Sequence, residues 1–296
     1  MKRLLFIYNP HAGQGKVGKN LPEIIQAFSY QGYLPSVHPT RGTGDATSVV
    51  RGIGHHYSRI VCCGGDGTLH EVTAALLGMK TPPVLGYIPA GTTNDFSRNL
   101  NLPRDMVLAA KVAVQDHTLR CDMGRFNDAY FAYVAAFGAF TDVSYDTPQH
   151  FKNLFGHLAY VLEGIGRLGT IRGRQMSIEY DGGTLEGNFI FGMVSNARSV
   201  GGFQGWPAQE VDLGDGRFEV VLVRQPKNPL ELQAILHSAF TKSPTQDGPL
   251  IGFHTSKLRL HCQEEIAWTL DGEFGGRHRE VSVENLHQAL ELCCRE

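Results

Sequence analysis

The sequence predicts an α/β N-terminal domain followed by a mostly antiparallel β domain, read as a β-sandwich. Three observations carry that prediction. Over roughly the first 120 residues, short apolar runs alternate with helical spacings, the rhythm of a parallel sheet covered by helices on both faces. Beyond that point, turn pairs such as Asn127-Asp128, Asp181-Gly182 and Asp271-Gly272 punctuate β-rich runs. Finally, glycine makes up 35 of 296 residues, about 12% against a usual ~7%, with no Gly-X-Y period. That excess belongs to tight turns, or to loops where backbone approaches a ligand closely.

Taken in order, Leu4–Tyr8 is a strand buried on both faces. Asn20–Tyr30 is a helix, with Leu21, Ile24, Ile25 and Phe28 at helical spacing and Gly32 at its stop. Tyr33–His38 is a second strand, Asp45–Gly52 a short helix and Arg59–Cys63 a third strand. Thr68–Leu77 is a helix ended by Gly78, Val84–Ile88 a fourth strand, and a further helix runs over Asn94–Leu100. In the β domain, strands are expected at Tyr130–Phe137, Gln175–Tyr180, Asn188–Val194, Phe218–Arg224 and Lys257–His261. Helices interrupt them at about Leu154–Leu168 and Pro229–Phe240, and Val281–Cys294 reads as a strand pair returning to either domain.

Composition excludes several classes. The 27 Lys+Arg against 29 Asp+Glu give a net charge of −2, so no nucleic-acid partner is expected. Apolar residues form 42% of the chain, enough for a sizeable core. The apolar run of MKRLLFIYNP is too short for a signal peptide, and the longest such run, Ala129–Phe140, is too short to span a membrane. Six cysteines without a CxxC spacing read as buried reduced thiols of a cytoplasmic protein.

Four loops are candidates for chemistry. Asn9-Pro10-His11-Ala12-Gly13-Gln14-Gly15-Lys16 is not a P-loop, which needs Gly at Pro10 and Ser or Thr at Val17. It contains GxGxxG at Gly13, Gly15 and Gly18, but a dinucleotide fingerprint wants an acid at the end of the second strand, where His38, Pro39, Thr40 and Arg41 stand. A plain surface turn, and a phosphate-proximal loop with Lys16 as cation, both remain open. Gly64-Gly65-Asp66-Gly67-Thr68 joins a buried strand to a helix at the edge where open α/β sheets bind ligands. Its amides can face an anion, and Asp66 beside phosphates implies an intervening Mg²⁺; a turn or cap is the plainer role. In Pro89–Phe96, Thr92 and Asn94 can hydrogen-bond a nucleotide or cap a helix. Leu270-Asp271-Gly272-Glu273 is first of all a hairpin turn with an exposed acid.

Together, NPHAGQGK, GGDGTLHEV, PAGTTNDFSRNL, VDLGDGRFEV and LDGE resemble the bacterial diacylglycerol kinase and phospholipid kinase family, in order and over nearly the whole chain. The broader superfamily, named for the diacylglycerol kinase catalytic domain, also holds sphingosine and ceramide kinases. GGDGT alone is shared with NAD kinases and phosphofructokinase-like proteins. The resemblance implies a doubly wound, NAD kinase/phosphofructokinase-like ATP-binding domain over residues 1–120. It also implies a β-sandwich lipid-acceptor domain over 121–279, which leaves a tail, 280–296, for which packing back on the first domain is one of the two arrangements open. ATP would lie against Asn9, Pro10, Gly13, Thr40, Gly65–Glu71 and Thr92, joined by Lys16, Gly64, Gly67, Thr68, Glu71 and Asn94. Glu273 matches the base that takes a proton from the lipid hydroxyl, and Asp66 would help hold Mg²⁺–phosphate. Asp215 by its side chain, and Asp212 and Arg217 by backbone oxygens, match a structural Mg²⁺ or Ca²⁺ loop, otherwise a simple turn. His70 stands where the family usually has Asn, and Trp206 is placed to shape the acceptor entrance.

The implied activity is ATP- and Mg²⁺-dependent phosphorylation of a hydroxyl on a diacylglycerol- or phosphatidylglycerol-like lipid, by a cytoplasmic protein touching the membrane surface peripherally. Gly156–Ile171 is the candidate contact helix, and a homodimer is one of the oligomeric states left open. The competing readings are a kinase for a soluble acceptor such as NAD, and a nucleotide-binding regulatory protein without transfer activity.

Overall fold

The computed structural model describes residues 2–92, 94–138, 173–197, 199–200, 203–204, 211–241 and 248–295. The expected helix over 154–168, the contact helix Gly156–Ile171 and Trp206 lie outside the described residues. The chain divides into two units, Met1–Met123 with His287–Glu296, and Gly124–Leu286.

In the first unit, β1 (Lys2–Tyr8), β2 (Tyr33–Pro39), β3 (Arg59–Gly64) and β4 (Val84–Pro89) form a parallel sheet in the order β4-β3-β1-β2. Leu4, Leu5, Phe6 and Ile7 are all buried, as the uninterrupted apolar run predicts for a central parallel strand. Helices α1 (Lys16–Tyr30), α2 (Asp45–Ile53), α3 (Asp66–Leu77), α4 (Asp95–Asn99) and α5 (Met106–Val112) complete the unit. Leu4, Phe6, Val61, Cys63 and Ile88 meet Val17, Ile24 and Phe28 of α1 and Ala109 of α5 in one core; α2 packs on α3.

Helix α1 starts at Lys16, four residues before the expected Asn20, because Gly13, Gln14 and Gly15 are left-handed and Gly15 ends that turn as the N-cap. Helix α5 was not foreseen; the Asp105 carboxylate caps it by accepting from the amides of Val107 and Leu108.

The second unit is built from β5 (Thr118–Phe126), which enters it from the first, then β6 (Ala129–Phe131), β7 (Val134–Gly138), β8 (Arg174–Tyr180) and β9 (Gly183–Ser195). The short pair β10 (Ser199–Val200) and β11 (Phe203–Gln204) and then β12 (Phe218–Arg224) come next. Helix α6 (Pro229–Thr241), β13 (Leu250–Thr255), β14 (Lys257–Leu270) and β15 (Glu273–Cys293) follow. The main strands pair antiparallel in one large ladder. Strands β9 and β14 are long enough to pair with β8 along one half and β7 along the other, so the connectivity runs β9-β8-β14-β7 and back to β9. The expected Lys257–His261 strand is thus the first part of β14. The expected strand pair Val281–Cys294 is instead the end of the single strand β15; from His287 on, that strand belongs to the first unit, where Leu292 pairs with Leu85 of β4. The core of the second unit gathers Phe126, Phe137, Phe218, Ile251, Leu260, Val281 and the fully buried Trp268, whose ring sits 5.0 Å from Phe126 and 4.8 Å from Phe137. Each such burial contributes about 1.5–3 kcal/mol. All six cysteines are free and buried.

Candidate functional site

In the first unit, the loops that follow the four parallel strands are tied to one another. Asn9 N–H donates to the Cys63 carbonyl at 2.9 Å, Ala90 N–H to Gly64 at 2.8 Å and Thr40 N–H to Tyr8 at 2.8 Å. Parallel strands end in register, so their terminal amides and carbonyls continue the ladder one residue into the loops.

The glycines make this possible. A Cβ on Gly91 would lie 2.6 Å from Gly65 Cα, and one on Gly13 would lie 3.1 Å from the Ala90 carbonyl oxygen. The loops after β1, β3 and β4 therefore touch backbone to backbone, at the carboxyl edge of the sheet. Gly64 has a different reason for lacking a side chain: its Cβ would fall 2.6 Å from the Thr68 side chain, so Thr68 packs down onto the loop. Gly67 sits in the first turn of α3, and Thr92 is exposed.

Several predicted ligand-binding side chains hold the loops together. The Asn9 carboxamide oxygen accepts from His11 N–H at 2.9 Å and closes a turn over Pro10. Asn94 is left-handed, and its amide clamps Gly91 by accepting from the N–H at 2.8 Å and donating to the carbonyl at 2.7 Å. Glu71 accepts from Gly44 N–H at 2.8 Å. Lys16 remains exposed at the start of α1. Asp66 opens α3, where a carboxylate is favoured by the helix N-terminus. The buried Tyr87 phenol donates to Gly64 O at 3.2 Å; burial pushes its pKa well above the usual value, and the Asp66 carboxylate adds to that.

No acid stands at the end of the second strand in the sequence. The structure supplies one from further on: Asp45 accepts from His38 Nε2 at 2.7 Å and from Arg41 Nε and Nη2 at 3.1 and 2.8 Å. These hydrogen bonds, His38 first and then Arg41, lower its pKa to about 2. The signal available in sequence was an acid just after Gly44, at a helix start.

In the second unit, Glu273 is exposed at the first position of β15, directly after a turn in which Asp271 and Gly272 have φ of 53° and 91°. This is the type I′ geometry that Asp-Gly favours. Asp271 is more than a turn residue. It is 3% exposed, and its carboxylate accepts from the amides of Ala132 at 2.7 Å, Tyr133 at 2.9 Å and Val134 at 3.2 Å. Nothing in the sequence distinguishes it from a surface turn Asp. In the Asp212–Arg217 loop, Asp212 accepts from Gly214 N–H at 3.0 Å and Asp215 from Arg217 N–H at 2.9 Å. No group of three or more His, Cys, Asp or Glu side chains placed to hold a metal occurs among the described residues.

Residues 3–126 match the family described as the diacylglycerol kinase catalytic domain. The chain is 35% identical over 278 residues to the diacylglycerol kinase of Bacillus subtilis (strain 168), covering 93% of this chain and 91% of that protein. The chain belongs to the diacylglycerol kinase family. It is accordingly a phosphotransferase with an alcohol group as acceptor. A second family member, the diacylglycerol kinase of Staphylococcus haemolyticus (strain JCSC1435), is 33% identical over 97% of this chain and 86% of its own. A crystal structure of a diacylglycerol kinase from Bacillus anthracis str. Sterne superposes with a TM-score of 0.78 at 24% identity, covering 99% of this chain and 97% of that one, which establishes the likeness of fold. No helix among the described residues of this diacylglycerol kinase family member is long and apolar enough to cross a membrane.

Proposed function

We propose that this lipid kinase family member transfers the γ-phosphoryl group of ATP to the hydroxyl of a diacylglycerol- or phosphatidylglycerol-like lipid, with Mg²⁺. The observation that carries the reading is the side-chain-free contact of the Gly13, Gly65 and Gly91 loops at one sheet edge. A phosphate cradle needs backbone amides unobstructed by Cβ atoms. The pairing of α1 with α5 and of α2 with α3 supports a doubly wound first unit, and the turn-rich second unit is read as the sandwich-like acceptor domain.

The residues present fit the donor and the catalytic ion. Mg²⁺ keeps several waters and takes only one or two carboxylates beside substrate phosphates, so Asp66 suffices without a three-ligand protein cage. When bound, the ion neutralises phosphate charge during transfer. The amides of Gly13, Gly65 and Thr92 orient the triphosphate, the Asn9 turn over Pro10 holds the first loop in shape, and Lys16 offers a cation. Thr40, Glu71 and Asn94 shape the walls. Glu273 accepts the proton of the acceptor hydroxyl as its oxygen bonds to phosphorus and ADP leaves. In the Asp212–Arg217 loop, the Asp215 side chain and the backbone oxygens of Asp212 and Arg217 would hold a structural Mg²⁺ or Ca²⁺, which would stiffen the loop without taking part in the transfer. A lipid acceptor suits a cytoplasmic protein in peripheral contact with the membrane surface.

The test is transfer of label from ATP, with Mg²⁺, to a panel of lipids in mixed micelles. Labelled lipid is expected. No labelled lipid from a folded preparation overturns the reading, and efficient formation of NADP from NAD replaces it with a soluble-acceptor kinase. Glu273→Gln is expected to lower kcat by about 10²–10⁴-fold, to a residual rate that is still measurable, while ATP still binds by calorimetry; unchanged turnover removes Glu273 from the chemistry.

A further inference from the structure

We propose that Asp271 is the positioning residue for Glu273, its buried carboxylate fixing the hairpin tip by three amide hydrogen bonds; this rests on the reading of Glu273 as the base. A type I′ turn by itself does not call for a carboxylate. Asn-Gly serves as well, and a turn aspartate ordinarily faces water. Here the side chain is 3% exposed, and burying a charge is unfavourable unless hydrogen bonds compensate for lost water.

The compensation is specific. Three consecutive amides, those of Ala132, Tyr133 and Val134, converge on the two carboxylate oxygens at 2.7–3.2 Å, and Asp271 N–H donates back to Val134 O at 2.8 Å. Such charge-assisted contacts are short and directional. The segment they grip is itself held: Asn196 N–H donates to Tyr133 O at 3.0 Å, and Asn196 Nδ2 donates to Leu213 O at 3.1 Å. From Leu213, beside Asp212, through Asn196 and Tyr133 to Asp271, one hydrogen-bonded chain thus reaches the turn. On its far side Leu270 pairs with Glu273, so the tip cannot shift without breaking the carboxylate contacts or the ladder. The exposed Glu273 side chain therefore projects from a fixed backbone.

A base displaced by about 1 Å loses about 100-fold in rate while donor binding is untouched. Asp271→Asn keeps shape and tolerance of positive φ, but replaces one acceptor by an amide that faces N–H donors. The expected result is a kcat lower by about 100-fold with KM for ATP unchanged, and no further loss when Asp271→Asn is added to Glu273→Gln. A merely structural role would instead lower activity further in the double variant. If Asp271→Asn shows no cooperative melting, Asp271→Glu, which keeps the charge one methylene further out, is read by the same two measurements. A folded variant with kcat within about threefold of the parent, or a second independent loss in the Glu273→Gln background, overturns the proposal. Should Glu273→Gln itself keep full turnover, it is the assignment of the base that fails, a result separable from a failure at Asp271.

Discussion

Replacing Gly91 with alanine tests the contact of the glycine loops at the carboxyl edge of the parallel sheet directly. The new Cβ would stand 2.6 Å from Gly65 Cα and 2.8 Å from Asn94 Oδ1. Carbon atoms rest at about 3.5–4.0 Å, so the loops after β3 and β4 must part by about 1 Å, and the obstacle is backbone that cannot rotate aside. Overpacking of this kind costs about 1–3 kcal/mol, and a domain of this size loses about 2–4 °C of melting temperature per kcal/mol. The same displacement pulls Gly91 from its Asn94 clamp and misaligns the amides proposed to face phosphate, so kcat/KM for ATP is expected to fall about 100-fold. The control is Gly18→Ala, in α1, where an added Cβ meets nothing within 4 Å and alanine favours the helix by about 0.5–1 kcal/mol. Steady-state kinetics with varied ATP, alongside thermal melting, separate the two. If Gly91→Ala retains kcat/KM within about threefold of the parent, or Gly18→Ala suffers equally, the backbone cradle is not what binds the donor.

Other predictions follow from the same geometry. Asp45 has its pKa lowered to about 2, so its contribution to stability is complete above about pH 4 and is lost as pH falls toward 2. Asp45→Asn should therefore flatten the acid side of the melting-temperature profile, and parallel profiles for parent and variant would refute the pairing with His38 and Arg41. Burial pushes the Cys63 thiol up to about 12 and the Cys293 thiol to about 11, so native protein at pH 8 should resist iodoacetamide, by mass spectrometry, until it is unfolded. Rapid labelling of either in the native state would contradict this. Asp215→Ala removes the acceptor for Arg217 N–H and should lower stability by about 1 kcal/mol. If a cation occupies that loop, the variant should also lose any rise in melting temperature that Mg²⁺ or Ca²⁺ gives the parent; an equal rise in both excludes the loop as its site.

The parallel sheet was legible because Leu4–Tyr8, Val84–Ile88 and, after its opening Arg59, the strand Arg59–Cys63 are apolar on both faces, a pattern that local burial alone dictates. The glycine loops were legible for a related reason: residues without Cβ concentrate where backbones must meet. What local pattern could not show is partnership at a distance. The left-handed run at Gly13–Gly15 hid the start of α1, since Gln14 takes that conformation without being glycine. Strands β14 and β15 read as fragments because they carry polar residues such as His261 and Glu280 where one face is exposed. Asp45 and Asp271 looked like an ordinary helix-start acid and an ordinary turn. Their partners, His38 seven residues earlier and Ala132 far earlier in the chain, are brought to them only by the fold.

Consider finally the order in which a ribosome would deliver this chain. The first unit is not finished when residue 123 emerges, for His287–Glu296 belong to it as well. Leu292 lies beside Leu85, Cys294 N–H donates to His117 O, and the buried Arg59 guanidinium donates to Cys293 Sγ at 2.9 Å. Until Leu292 and Cys293 are made, β4 lacks its outer neighbour and Arg59 lacks one of its acceptors. The nascent first unit must therefore wait, with an open strand edge, through synthesis of the whole second unit. Such an edge invites pairing with other chains. Loss of His287–Glu296 should consequently be felt in the unit that also holds Met1–Met123, as aggregation rather than as a local fray.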